Sequence, residues 1–136
     1  MRLVVDASVA VKWVLPDSAQ EPDSDRAAEL LRAVRDRRVD IIQPPHWFAE
    51  VVAEAVDLLD AMELAVATDA EVYKRASRIA AQLGQHVFDT LYHAVALEHD
   101  AVVVTADARY LRRASALGGM VALADWVPPS EAPEAD

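Results

Sequence analysis

Four carboxylates stand out because of where the pattern of neighbouring residues puts them. Asp6 follows directly on the apolar, β-branched run Leu3-Val4-Val5, and Thr105-Ala106-Asp107 follows Val102-Val103-Val104. Both runs read as strands buried within a parallel sheet. Parallel strands end at a common sheet edge, and open α/β sheets bind ligands outside the carboxyl ends of their strands. Glu50 falls in the second turn of a helix expected after Pro44-Pro45. Asp89 falls at the start of another helix, close to its N-terminal dipole. Four acids from four segments can therefore converge. Left unscreened they repel, and some are driven to protonate. A hard divalent cation such as Mg2+ or Mn2+ relieves the conflict, because it takes oxygen ligands and keeps several waters. An ion held this way lowers the pKa of a bound water and stabilises charge on a phosphoryl oxygen; two ions about 3.5–4 Å apart clamp both oxygens of an in-line displacement. The chemistry suggested is hydrolysis of a phosphodiester. The hydroxyls of Ser8 and Thr105 can orient the carboxylates or a water.

Each acid also has a plain structural reading. Asp6, Asp89 and Asp107 can cap the helices that follow them, and Thr105 can be a simple β-branched strand end. Glu50, flanked by Phe48, Val51 and Val52, is either paired or functional. Asp6 and Asp107 together, at equivalent strand ends, favour function over capping. The four histidines show no transition-metal spacing, and His93, four residues after Asp89, reads as a local helix contact. Trp13, Trp47 and Trp126 read as core or interface. Lys12, Arg109, Arg112 and Arg113 can form a positive rim for a phosphate backbone, although an ordinary exposed helix face explains them as well.

The elements that must position these groups alternate. Strands are expected at Arg2–Val5, Ile41–Ile42, Ala101–Val104 and Met120–Leu123, with a short edge strand at Leu64–Val66. Helices are expected over Ala7–Leu15, Asp25–Arg37, His46 to about Met62, from Thr68 to about Leu83, Asp89 to about His99, and Ala108–Leu117. Asp17–Asp25 reads as a loop. Thr68-Asp69-Ala70-Glu71 reads as a capping box, with Gly84 as the stop of the helix it opens. The alternation implies an α/β fold, a three-layer α/β/α sandwich around a mostly parallel sheet. Residues 1–127 are expected to form one domain. The acidic, Pro-rich stretch 128–136 is expected to be frayed.

Composition narrows the choice. At 54% hydrophobic and 26% charged residues the 136-residue chain is too apolar for disorder. The absence of Cys excludes disulfides, thiolate metal sites and a cysteine nucleophile. No apolar run approaches the roughly 20 residues of a membrane span, and Asp6 interrupts what a secretory leader would keep uncharged. A cytoplasmic location without membrane contact is expected. The net charge of −10 runs against the basic footprint usual for nucleic-acid binding. However, three of the acids lie in the tail, and acids that hold a cation act locally as positive sites.

On these residues the chain resembles the PIN-domain ribonucleases, and among them the VapC toxins of bacterial toxin–antitoxin pairs. The resemblance rests on Leu3-Val4-Val5-Asp6-Ala7-Ser8, on Pro44 to Glu50 with Val51-Val52-Ala53-Glu54, on Val87-Phe88-Asp89-Thr90-Leu91-Tyr92-His93-Ala94-Val95-Ala96, and on Val103-Val104-Thr105-Ala106-Asp107-Ala108-Arg109-Tyr110-Leu111. It spans Arg2 to about Trp126. It implies an endoribonuclease dependent on Mg2+ or Mn2+, with Asp6, Glu50, Asp89 and Asp107 at the positions of the family's acidic quartet. It also implies an RNA substrate, a homodimer and neutralisation by a cognate antitoxin. The chain departs from the family pattern after the Glu50 helix. There Ala55–Asp60 runs almost directly into Glu63–Val66, where the family usually has a further helix. Phe88 also stands where Tyr is common.

Two other readings compete. One is a catalytically silent module of the same fold that binds antitoxin or RNA. The other is a phosphotransfer domain with Asp6 as acceptor. The latter requires a second acid beside Asp6 or a late-strand Lys. Ala7-Ser8 follow Asp6 and no Lys follows Lys74, so it ranks last.

Overall fold

The structure, a computed structural model, describes residues 1–14, 22–51 and 64–130. Its elements are β1 (Arg2–Val5), α1 (Ala7–Val14), α2 (Ser24–Arg35), β2 (Asp40–Gln43), α3 (His46–Val51), β3 (Ala65–Val66), α4 (Ala70–Leu83), α5 (Val87–Glu98), β4 (Val102–Thr105), α6 (Ala108–Ala114) and β5 (Met120–Ala122). The strands form one sheet in the order β3-β2-β1-β4-β5, with every pair parallel. This is the expected α/β sandwich with a parallel sheet. Among the described residues no helix is long and apolar enough to cross a membrane.

Local sequence explains the layers. β1, in the middle of the sheet, is covered on both faces, and Leu3, Val4 and Val5 are completely buried. A β-branched run without polar alternation is what such a strand requires. α2 buries Ala27, Leu30 and Ala33, and α4 buries Val72, Ala76 and Ile79, each a single stripe at helical spacing. α5 differs. Its residues Thr90 to Ala96 are all buried, because it lies between the sheet and α4, with Tyr110 of α6 against His93. Right-handed crossovers place the helices after β1 and β2 on one face and those after β3 and β4 on the other. The packing of α1 on α2 and α3, and of α4 on α5, agrees with that division.

The strand order has a consequence for function. The chain leaves β1 toward β2 over one face and leaves β4 toward β5 over the other. β1 and β4 are neighbours, so a crevice opens between their carboxyl ends.

Several expected details differ. The capping box at Thr68-Asp69-Ala70-Glu71 does not form. Asp69 is the N-cap and bonds no helix amide through its side chain. Its Oδ1 instead lies 2.9 Å from His99 Nε2, and Glu71 pairs with Lys74. α5 begins two residues earlier than expected, at Val87. The helix expected over Ala108–Leu117 is α-helical to Ala114 and tightens to a 3-10 turn at Ser115–Leu117. The last strand stops at Ala122, and Leu123–Asp125 forms another 3-10 turn. Gly84, at φ 62°, ends α4 as expected. The expected continuation of α3 to Met62, the shortened segment after it, the break at Pro16 and most of the acidic tail lie outside the described residues.

One polar side chain completes the sheet. The main-chain register between β1 and β2 pairs Arg2 with Asp40 and Leu3 with Ile41. At the level of Val5 the Gln43 side chain stands in for a ladder rung. Its Oε1 accepts from Val5 N at 3.1 Å and its Nε2 donates to Val5 O at 2.9 Å. Gln43 is completely buried, so its removal strands two main-chain groups in an apolar setting. Gln43→Leu is expected to lower unfolding stability by about 2–4 kcal/mol, measured by urea denaturation; a loss under about 1 kcal/mol would contradict the role assigned to the amide.

Candidate active site

The site is built where β1 and β4 end. Their register pairs Val5 with Val104, which brings Asp6 level with Thr105. Asp6 N donates to Val104 O at 3.1 Å. Two hydroxyls then fasten the Asp6 carboxylate across the gap. Ser8 Oγ donates to Asp6 Oδ2 at 2.7 Å and accepts from Ala106 N at 3.1 Å. Thr105 Oγ1 donates to the same Oδ2 at 2.9 Å and accepts from Asp107 N at 3.0 Å. Each hydroxyl thus receives an amide from the loop after β4 and passes its own proton to Asp6. Thr105 is therefore more than a β-branched strand end; it orients a carboxylate.

The other acids are held differently. Asp107 is the N-cap of α6, with Oδ1 accepting from Tyr110 N at 3.0 Å. Its capping reading holds while it also faces the crevice. Asp89 is not a cap. That role falls to His86, whose Nδ1 accepts from Phe88 N at 3.2 Å, and Asp89 sits in the first turn of α5. Its carboxylate is thereby left for other work. Glu50 Oε2 accepts from the Tyr92 hydroxyl at 2.7 Å, and its Oε1 lies 3.5 Å from His46 Nε2.

Asp6, Asp89 and Asp107 line one recess together with Tyr92, Tyr110, Thr105 and Val103. Glu50 reaches this recess through Tyr92, which touches both. Burial pushes the Asp6 carboxyl up from its ordinary pKa, the Ser8 and Thr105 hydrogen bonds hold it down, and the Asp107 charge adds to the rise. Burial raises Asp89 too, with the charges of Asp107 and Glu50 adding to it, while His86 and His46 oppose them. Burial and the Glu50 bond push the Tyr92 hydroxyl far above its usual value, so it remains a donor. Burial and the three aspartates do the same for Tyr110.

The arrangement amounts to an all-oxygen, negatively charged donor set. Among the described residues no Lys or Arg forms an ion pair with Asp6, Asp89 or Asp107. That chemistry fits a hard divalent cation. Among the described residues the acids nonetheless stop short of a closed set, since no three His, Asp or Glu side chains stand close enough to hold one ion.

Sequence patterns missed the residues that tie the acids together. Tyr92 and Tyr110 each follow a site aspartate by three residues, which places each pair on one helix face. His93 does not make the local helix contact expected of it. It is completely buried, with Nδ1 3.1 Å from the Tyr110 hydroxyl and Nε2 2.7 Å from Gly118 O. The carbonyl can only accept, so Nε2 carries the proton and Nδ1 takes the one from Tyr110. Burial lowers its pKa accordingly. Trp47 and Trp126 are core residues, and Trp13 packs against the core with Nε1 donating to Ala27 O at 2.8 Å. Arg109, Arg112 and Arg113 are exposed on α6 and Lys12 lies in the last turn of α1. None of the four lines the recess.

A family model supplies independent information. The PIN domain matches residues 3–117, which include all four acids, β2 to β4 and all of β1 but Arg2. No curated protein is similar enough to be matched to the chain. The match covers most of the chain, which therefore belongs to the PIN-domain family. PIN domains are generally metal-dependent nucleases that act on RNA or DNA.

Proposed function

We propose that this PIN-domain chain is an endoribonuclease that hydrolyses RNA phosphodiesters with Mg2+ or Mn2+, and that it is the toxin of a VapC-type toxin–antitoxin pair. The observation that carries the nuclease reading is the recess between β1 and β4, which three aspartates line without a basic partner among the described residues. Asp6, Asp89 and Asp107 would hold the cation, directly or through water, and Glu50 would be a further ligand or would position the attacking water. When bound, the ion would supply an activated water and charge stabilisation at the phosphate.

The chain's own residues would do the rest. Ser8 and Thr105 keep Asp6 in one orientation through its Oδ2. Tyr92 holds Glu50 against the recess. Lys12, Arg109, Arg112 and Arg113 would meet the RNA backbone away from the acids. The VapC resemblance supports the remaining parts of the reading: a cytoplasmic homodimer, neutralised by a cognate antitoxin. A silent binding module remains the second reading, favoured by the open spacing of the acids among the described residues.

With the full chain and single-stranded RNA, Mg2+ or Mn2+ is expected to support cleavage and EDTA to abolish it. Asp6→Asn, Asp89→Asn and Asp107→Asn are each expected to lower the rate at least about 100-fold. Undiminished cleavage in these variants would refute the assignment, and antitoxin or RNA binding without cleavage under any metal would favour the silent module. Thr105→Val keeps the shape and deletes the hydroxyl. It is expected to weaken metal-dependent activity about 10–100-fold, read as cleavage rate against Mn2+ concentration. An unchanged metal dependence would reduce Thr105 to a structural residue.

A further inference from the structure

Beside the acid recess lies a row of rings of which the cleavage chemistry uses only Tyr92. Phe88 immediately precedes Asp89 and is 50% exposed, although it is a large apolar side chain. Its ring is stacked on His46, with centroids 5.4 Å apart and planes at 25°. On His86 the separation is 4.9 Å with planes at 36°. His46 continues the row to Tyr92 at 4.8 Å. Both imidazoles are pinned by the Phe88 backbone itself: His46 Nε2 donates to Phe88 O at 3.1 Å, and His86 Nδ1 accepts from Phe88 N. The row is thus fixed before any ligand arrives. Tyr73 is the other half-exposed aromatic, yet among the described residues no ring packs on it and it touches no site acid.

Position decides what such a row could serve. The Asp89 carboxylate lies in the field of both His46 and His86, and His46 also feels Asp6 and Glu50. The row meets the recess through Tyr92, which packs on His46 and lines the recess, and through Asp89, the residue after Phe88. A strand lying with one phosphate at the recess would bring a neighbouring base to this row. The charge of the chain gives such a contact weight. A chain of net charge −10 gains little from counterion release on a phosphate backbone. Uncharged contacts would add to the few phosphate contacts of Lys12, Arg109, Arg112 and Arg113, and every base has a π-face on which a fixed aromatic ring can stack.

We propose that Phe88, braced by His46 and His86, is a stacking subsite for an unpaired nucleobase of the strand whose phosphate enters the acid recess. This rests on the nuclease reading for its substrate class.

The test is a binding cycle. The full chain carries Asp6→Asn so that the oligonucleotide stays intact, and fluorescence anisotropy with Mg2+ follows a labelled single-stranded hexaribonucleotide and its abasic counterpart. Adding Phe88→Ala is expected to weaken the base-bearing oligonucleotide by between about 5-fold and about 150-fold and to leave the abasic one unaffected. Phe88→Trp is expected to retain affinity and Phe88→Leu to lose it, which separates stacking from general apolarity and from misfolding. Equal losses on both oligonucleotides, equal affinity of the Leu and Trp variants, or no loss at all would overturn the subsite. So would a change in oligomeric state in place of oligonucleotide affinity, which would make Phe88 a protein-docking residue. Base-dependent binding without cleavage by the unsubstituted chain would sink the nuclease reading and spare the subsite; cleavage with no Phe88 effect would do the reverse.

Discussion

Everything at this site depends on holding like charges together. Carboxylates gathered at one edge of a sheet repel each other, and burial strengthens the repulsion. The fold answers by fixing backbone before charge. β1 and β4 are neighbours in register, so Asp6 and the Thr105–Asp107 loop cannot drift apart without breaking the centre of the sheet. Two hydroxyls then convert the gap into a bonded bridge, each tied to one amide of the loop and to the same oxygen of Asp6. The pKa values of Asp6 and Asp89 are raised, first by burial, with the Asp107 charge adding to the rise.

The scaffold keeps this arrangement in place from underneath. β1 is fully buried, and its end is held on one side by the Gln43 amide and on the other by the hydrogen bond from Asp6 N to Val104 O. α5 brings Asp89 and Tyr92 to the same recess because its whole middle is packed between the sheet and its neighbours. His93 lies on that buried stretch and joins α5 to Tyr110 and to the Gly118 carbonyl. A shift of α5 would therefore disturb α6, and with it the Tyr110 amide that Asp107 caps. The acids are coupled through main chain and through the Ser8, Thr105 and Tyr92 hydroxyls rather than through direct contact with each other.

Much of this was legible in the residues alone, for identifiable reasons. Strand ends were readable because uninterrupted β-branched runs such as Leu3–Val5 and Val102–Val104 have few other uses. Asp6 and Asp107 followed from those ends. Glu50 and Asp89 followed from their places early in expected helices; Asp89 lines the recess, and Glu50 reaches it through Tyr92. Local patterns failed where tertiary partners outbid them. Thr68–Glu71 has the composition of a capping box, yet Asp69 turns to His99. His93 sits at a spacing suited to a helix contact with Asp89, yet its partners come from α6 and from the turn before β5. Thr105 is the instructive case. Nothing in its neighbours distinguishes a strand-end threonine from one that orients a carboxylate, because the distinction lies in Asp6, 99 residues away.

A divalent cation is the group proposed to quench the repulsion in the recess. The direct measurement is a Mn2+ titration of the full chain followed by electron paramagnetic resonance, with Asp6→Asn in parallel. Loss of the free Mn2+ signal at a saturable stoichiometry of one or two ions per chain, weakened about tenfold or more by the substitution, is the expected result. A free-ion signal that tracks added Mn2+ without saturation, or the same uptake with Asp6 replaced, would contradict it.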